Sequence, residues 1–214
     1  LPTGTCLILI TPDSERTMCT FLGTAGKISK NDLDANVIKK SDLVFLEGYL
    51  WDEGDPKEAF EKAINLANKT AMSLSDKFCV DRHKPNFLNL VKNELDLVFA
   101  NEGEIMSLID AKNFDEVISF GKEIKKHLVI TRGEKGAISI HKNEIEEIDA
   151  KKDLKVIDLT GAGDLFASGY LHGFINNFSQ KECLIKATEM SSKIIQQIGA
   201  CLLYTSPSPR DTRE

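Results

Sequence analysis

The chain has 214 residues, 42% hydrophobic and 28% charged, with a formal net charge of −6. That is the composition of an ordinary globular protein, long enough to bury a sizeable core. The acidic balance does not suit a nucleic-acid or anionic-lipid surface, and no apolar run is long enough to span a bilayer.

Strand-like and helix-like segments alternate along the chain. Thr5 to Thr11 and Thr17 to Leu22 flank a polar turn, Pro12 to Arg16, and read as an antiparallel hairpin. Asn31 or Asp32 caps a short helix ending near Lys39. Asp42 to Glu47 has the pattern of a buried strand. Asp55-Pro56 sets a cap before a proline at the first helical position, and a helix follows to about Thr70. Ala71 to Ser75 is another strand candidate, and Phe87, Leu88, Leu90 and Val91 mark a helix. Leu95 to Ala100 is an apolar strand leading into Asn101-Glu-Gly-Glu104. There Asn101 can cap a helix and Glu104 can complete a capping box. Phe114 to Lys126 is helical by periodicity, with Val117, Ile118, Phe120 and Ile124 apolar. Leu128 to Ile130 returns as strand, and Thr131 to Gly136 reads as a hairpin loop before Ala137 to Ile140, with glycine supplying φ > 0. Leu154 to Leu159 is a short strand-like run, followed by a glycine turn and an apolar helix from Leu165 to Phe174. In that helix Phe166, Gly169, Gly173 and Phe174 share a face, and the small residues would let it approach the sheet closely. A last helix, Gln180 to Ile198, turns Leu184, Ala187, Ser191, Ile194 and Ile198 to the core.

Strands alternating with helices of this length imply βαβ units and an α/β fold with a mainly parallel sheet between helix layers. Ligands of such sheets sit at the carboxyl ends of the strands. Asn101, Thr131 and the glycine turn each follow a strand end in this reading, so they can converge on one crevice. Cys6, Cys19, Cys79, Cys183 and Cys201 are odd in number and contain no Cys-x-x-Cys pair. That argues against a zinc site or disulfide framework and for reduced thiols in a cytosolic protein. His83, His127, His141 and His172 are widely spaced and receive no catalytic role.

The chemistry is carried by Asp158-Leu-Thr-Gly-Ala-Gly-Asp164. A glycine-rich turn opening a helix leaves backbone N–H groups without intrahelical partners. With the helix dipole they form a site for an anion, and Asp164 sits in the first turn beside it. A base next to a hole for negative charge is what phosphoryl transfer to a hydroxyl needs. The same residues also read as an ordinary strand-to-helix turn capped by aspartate. The pattern Asp158-x-Thr160-Gly161-Ala162-Gly163-Asp164-x-Phe166-x-x-Gly169 resembles the C-terminal signature of PfkB-type, ribokinase-like kinases, which often carry Thr where Leu159 stands. Asn101-x-x-Glu104 and Thr131-x-Gly133-x-x-Gly136 resemble two further motifs of that family and stand in the family's order.

The resemblance implies a ribokinase-like three-layer α/β/α fold with a small β lid, of which residues 3–22 would be a remnant. It implies Asp164 as the base that deprotonates the acceptor and Gly161, Ala162 and Gly163 as the anion hole. Asn101 and Glu104 would organise Mg²⁺ through its waters. Thr131, Gly133 and Gly136 would line the nucleotide, and Asp158 and Thr160 would shape the nucleotide or cation side. ATP and Mg²⁺ are the expected cofactors, with a monovalent cation as a further requirement in part of the family. Leu46 to Asp52 and Arg16-Thr-Met look like the adenosine-kinase-like branch. The acceptor expected first is therefore a hydroxymethyl group of a nucleoside or pentose-like sugar. A fructokinase- or ketodeoxygluconate-type sugar kinase and a non-catalytic nucleotide- or sugar-binding module are the alternatives. The resemblance implies a cytoplasmic enzyme acting on small molecules, with no nucleic-acid or membrane partner. It also allows a homodimer of the complete protein through the lid strands.

Family members normally begin well upstream of residue 1, so the expectation is a partial kinase core over residues 1–200 that is inactive by itself. Exposed lid strands would make such a piece prone to aggregate. Residues 201–214 are rich in Ser, Pro and Arg and break with the preceding composition. They read as non-native sequence or a natural disordered tail, outside the fold.

Overall fold

The computed structural model describes residues 2–51 and 55–202. The chain opens with an antiparallel ribbon of β1, Thr5–Ile10, and β2, Arg16–Phe21, in the register Thr5↔Phe21 to Ile10↔Arg16. Its tip is closed by Thr11 N on Glu15 O at 2.9 Å, and Asp13 accepts from Thr11 Oγ1 and Glu15 N. The ribbon forms a sheet of its own, and Leu7, Leu9, Met18 and Phe21 on it are exposed.

The remaining strands build one six-stranded sheet in the order of the chain. β3, Val44–Glu47, β4, Thr70–Ser73, β5, Leu97–Asn101, and β6, His127–Thr131, run parallel. β7, Ala137–His141, and β8, Glu144–Ile148, add antiparallel pairs at one edge. The helices are α1, Ala35–Lys40, α2, Asp55–Leu66, α3, Lys77–Asn89, α4, Glu102–Ile109, α5, Phe114–Ile124, α6, Ala162–Ile175, and α7, Gln180–Ile194. A π-helical turn, Leu90–Glu94, closes the α3 segment.

Successive strand side chains point to opposite faces, and this alternation divides the core in two. Val98, Ala100, Leu128, Ile130, Ile138 and Ile140 pack in one cluster with Phe60 of α2, Phe87 of α3, Leu108 of α4 and Val117 of α5. Ala71, Leu97, Phe99, Val129 and Ala137 pack in the other with Phe166 and Tyr170 of α6 and Leu184 of α7. Each fully buried Leu, Ile or Val contributes about 1.5–3 kcal/mol relative to exposure. The architecture is therefore the mixed, mainly parallel α/β sheet with a helix layer on each face that the segment pattern implied.

Several boundaries differ from the sequence reading. The cap of α1 is Asp34, whose carboxylate accepts from Asn36 N and Val37 N. Asp32 instead closes a local turn by accepting from Ser29 N and Oγ, both at 2.8 Å. α2 stops at Leu66 because Thr70 is drawn into β4, its amide bonded at 2.8 Å to the Asp96 carboxylate. β8 was missed because its two isoleucines are diluted by Glu144, Glu146 and Glu147 on a half-exposed edge.

Leu154 to Leu159 is not a strand. β8 already occupies the edge of β7, so this segment's donors go elsewhere: Ile157 N and Asp158 N to Ile195 O, and Leu159 N to Ser14 O. α7 ends at Ile194, four residues short of the expectation. Asp52 and the tail beyond residue 202 lie outside the described residues.

Gly169 and Gly173 of α6 face α7 rather than the sheet. A Cβ at Gly169 would stand 2.7 Å from Lys186 O and 2.8 Å from Ala187 Cα, and one at Gly173 would stand 2.8 Å from Cys183 Sγ. Backbone atoms cannot step aside as a flexible side chain can, so the two helices meet where neither position tolerates a methyl group. Gly169→Ala is expected to destabilise the fold by about 1–3 kcal/mol through overpacking, as read by urea denaturation. An unchanged midpoint and slope would show that α6 and α7 separate freely.

Candidate functional site

The glycine turn is shaped by a buried carboxylate. Asp158 Oδ1 accepts from Thr160 N at 2.8 Å and Thr160 Oγ1 at 2.6 Å, and Oδ2 accepts from Gly199 N at 2.8 Å. Burial alone would raise this carboxyl, but the bonds from Thr160 and Gly199 hold it below the usual carboxylate range. Asp158 and Thr160 are both buried and grip each other, so any influence on a ligand passes through the loop they hold. Gly161 follows with φ +79°, and a Cβ there would stand 2.8 Å from Ala200 Cβ. Only glycine combines that backbone with that proximity.

α6 starts directly after this turn. Ala162 N donates to Leu159 O at 3.2 Å, and Leu165 N to Gly161 O at 2.9 Å. The amides of Gly161, Gly163 and Asp164 donate to no acceptor among the described residues. Of the three residues expected to hold an anion, Gly161 and Gly163 thus offer free donors, while the Ala162 amide is shared with the turn. Gly163 and the Asp164 side chain are exposed at the start of α6.

Asn101 and Glu104 form the expected capping box at the end of β5. Asn101 Oδ1 accepts from Glu104 N at 2.8 Å, and Glu104 Oε2 accepts from Asn101 N at 2.9 Å. Asn101 Nδ2 adds a bond to Glu104 Oε1 at 2.6 Å. Glu104 is only 5% exposed, and burial, with the charge of Asp76 added, raises its pKa to about 6. Both carboxylate oxygens of Glu104 are thus engaged by Asn101 in the cap.

Thr131 lies beside Asn101 in the β5–β6 register. The loop after it is tight: Arg132 N donates to Gly136 O at 2.8 Å, and Gly133 and Gly136 have φ +57° and +86°. Glu102, which the sequence did not single out, links the two motifs. It accepts from Arg132 Nε at 3.0 Å and Lys135 Nζ at 3.2 Å, and the Arg132 guanidinium lies 3.8 Å over the Phe114 ring.

The ends of β3 and β4 supply a further group. Glu47 pairs in register with Ser73, and Ser75 Oγ donates to Glu47 Oε2 at 3.0 Å. Tyr49 OH donates to Ser75 O at 3.0 Å, leaving the ring half-exposed. Trp51, by contrast, is core, edge-on to Phe60 and Phe87 at 5.1 and 6.2 Å. Burial pushes Glu47 up to about 7, and the charges of Asp164 and Glu104 add to the effect. Asp76, Glu47, Glu104 and Asp164 likewise add to burial in raising Tyr49 to about 12. The charges of Asp164 and Glu104 thus reach both Glu47 and Tyr49 at the end of β3, and that of Asp76 reaches Tyr49. Ser73, Ser75 and Asp76 escaped the sequence reading; their signal was their position at or just past the end of an apolar strand.

No group of three or more His, Cys, Asp or Glu side chains among the described residues is arranged to hold a metal ion. Hard oxygen donors are present in Glu104, Glu47 and Asn101. That set suits a cation that keeps several waters rather than one held by protein alone.

The sequence matches the family described as pfkB family carbohydrate kinase over residues 1–206. The fold matches an adenosine kinase from Sinorhizobium meliloti with a TM-score of 0.91 and 35% identity, over 94% of this chain and 63% of that one. It matches a protein from Rhizobium etli CFN 42, described as a probable sugar kinase, with a TM-score of 0.89 and 36% identity, over 93% and 62%. A nucleoside kinase from Methanocaldococcus jannaschii is 24% identical over 146 residues, 68% of this chain and 48% of that protein. The chain thus spans between about half and two thirds of the length of these three proteins.

Glu47 has a stability signature with a definite sign. Its folded pKa, about 7, lies above the 4.5 of an ordinary glutamate. The native state therefore holds the extra proton between these values, and stability falls as pH rises through the window. Glu47→Gln keeps an acceptor for Ser75 and removes the charge. It is expected to raise stability at pH 8 by up to about 3 kcal/mol, with the gain vanishing below pH 5, in thermal melts across that range. A variant less stable than the parent at pH 8 would show that the carboxylate is charged and satisfied.

Proposed function

The chain belongs to the pfkB family of carbohydrate kinases, and on that footing we propose that the complete protein is an ATP-dependent kinase. It would transfer the γ-phosphoryl group to a hydroxymethyl group of a nucleoside or a pentose-like sugar. The observation that carries the reading is Asp164, exposed in the first turn of α6 beside undonated glycine amides.

In this reading Asp164 accepts the proton of the acceptor hydroxyl as its oxygen attacks the phosphorus in line. The Gly161 and Gly163 amides, and that of Asp164 itself, donate to the oxygens on which charge accumulates. Thr131, Gly133 and Gly136 border the nucleotide, and the Arg132–Glu102–Lys135 bridge holds their loop against the Asn101 motif. Mg²⁺, when bound, neutralises phosphate charge; Asn101 and Glu104 would position it through water, and cation binding would favour the ionised form of Glu104. The β1–β2 ribbon would close over the acceptor.

The names of the similar proteins include both nucleoside and sugar kinases, so the acceptor is the finer question. The Leu46-to-Asp52 sequence and Arg16-Thr-Met favour the adenosine-kinase-like branch, with a fructokinase- or ketodeoxygluconate-type enzyme as the alternative.

In the complete protein, Asp164→Asn is expected to lower kcat by about two or more orders of magnitude, as for loss of a general base. Steady-state assays with adenosine, ribose, fructose and 2-keto-3-deoxygluconate as acceptors would identify the substrate as well. Near-normal turnover by the variant removes Asp164 as base. ATP binding without transfer to any acceptor would favour a binding module.

A further inference from the structure

We infer that Tyr170 is a positioning residue for this reaction, acting through a buried one-way hydrogen-bond chain that fixes α6, and with it Asp164 and the glycine amides, against the sheet. The inference rests on the kinase reading for its catalytic consequence.

The chain joins five elements, ending on Glu144 of β8. Tyr170 OH lies 2.6 Å from His127 Nε2 and 2.8 Å from Ser139 Oγ. Ser139 Oγ lies 2.9 Å from His127 Nε2 and 2.8 Å from Gln180 Oε1. Gln180 Nε2 donates to Glu144 Oε2 at 3.2 Å near the surface. His127 opens β6, Ser139 is central in β7, Tyr170 is two turns into α6, and Gln180 opens α7. Tyr170 and Ser139 are fully buried and His127 nearly so.

The direction of the chain follows from counting hydrogens. A Glu144 carboxylate can only accept, so it turns the Gln180 amide nitrogen outward and the carbonyl oxygen inward. Ser139 must then spend its one hydrogen on Gln180 and accept from its neighbours. Tyr170 donates to Ser139, which leaves its own oxygen as an acceptor for His127. The imidazole must therefore carry its proton on Nε2. Were Tyr170 to donate to His127 instead, the Tyr170 and Ser139 oxygens would face each other at 2.8 Å with no hydrogen between them. Burial keeps His127 neutral, down to a pKa of about 3, so a second ring proton does not disturb this order.

Among the described residues, Tyr170 is the one α6 side chain that hydrogen-bonds to another element. The helix is otherwise held by apolar contacts and by the glycine seam against α7, which limit separation more than sliding. A hydrogen bond is directional and fixes the axial position as well. Asp164 lies six residues before Tyr170, about 9 Å along a rigid helix. A shift at the tie is therefore carried to the first turn, where misplacement by about 1 Å can cost roughly 100-fold in rate.

The test is Tyr170→Phe in the complete protein. It removes one oxygen, and His127 Nε2 can redirect its proton to Ser139, so no buried polar atom is orphaned. The expected result is a kcat lowered about 5- to 50-fold with both KM values within about twofold of the parent, and faster hydrogen exchange in the first turn of α6. Imidazole ¹⁵N shifts of the parent should report the Nε2–H tautomer. Should Tyr170→Phe not fold, Gln180→Ala at the outer end of the chain is read by the same exchange and kinetics. Unchanged kcat with unchanged first-turn exchange overturns the inference, and an Nδ1–H tautomer overturns the chain's direction. A parent protein that phosphorylates no acceptor defeats the kinase reading instead, and the tie is then judged by exchange and tautomer alone.

Discussion

The parallel register of β3 to β6 is the constraint from which the site descends. Glu47 stands opposite Ser73, and Asn101 opposite Thr131. Strand pairing satisfies the backbone along the strands, so polar side chains become useful where the ladder stops. Because β3 ends level with β4, and β5 level with β6 two residues further on, residues far apart in sequence arrive at one end of the sheet. The capping box of α4, the β6–β7 loop and the Ser75 turn are local structures that any protein might contain. Their register makes them neighbours.

The rim is electrostatically loaded. Glu47 and Glu104 are desolvated, and each lies within reach of another acid, so both prefer their neutral forms more than an exposed carboxylate would. Such an arrangement works against stability at neutral pH and favours a ligand that brings positive charge. Glu102 shows the contrast: Arg132 and Lys135 bond to it, and despite partial burial its carboxyl lies below the usual range. The sheet end thus carries one acid neutralised by basic partners that ties loops together and two desolvated acids without a basic partner among the residues that shift them.

α6 enters the site from the opposite face of the sheet and is held by different means. Its first turn is defined by a segment that belongs to no sheet, braced by Asp158, by the carbonyl of Ile195 and by Ser14 at the ribbon tip. Farther along, the glycine seam sets its distance from α7 and the Tyr170 chain links it to β6 and β7. Asp164, proposed as the base, can be placed accurately on such a helix although its own side chain is exposed and makes no hydrogen bond among the described residues.

Much of this was legible in the residues. Apolar runs of strand length, helical periodicities and caps with a chemical signature at Asn101 and Glu104 specify local structure through nearest neighbours, and the glycines before Asp164 specify a tight turn into a helix in the same way. β8 and the unpaired run before Asp158 were not legible, because pairing depends on which edge is free and not on the segment's own composition. Nor were the raised carboxyls of Glu47 and Glu104 or the His127–Tyr170–Ser139–Gln180 chain. Sequence by itself determined the α/β class, the order of the motifs and the identity of the acid beside the glycines. Tertiary structure alone decided which acids are desolvated, which amides remain free and which buried hydroxyl holds the helix, since burial and hydrogen-bond partnership arise between segments distant in the chain.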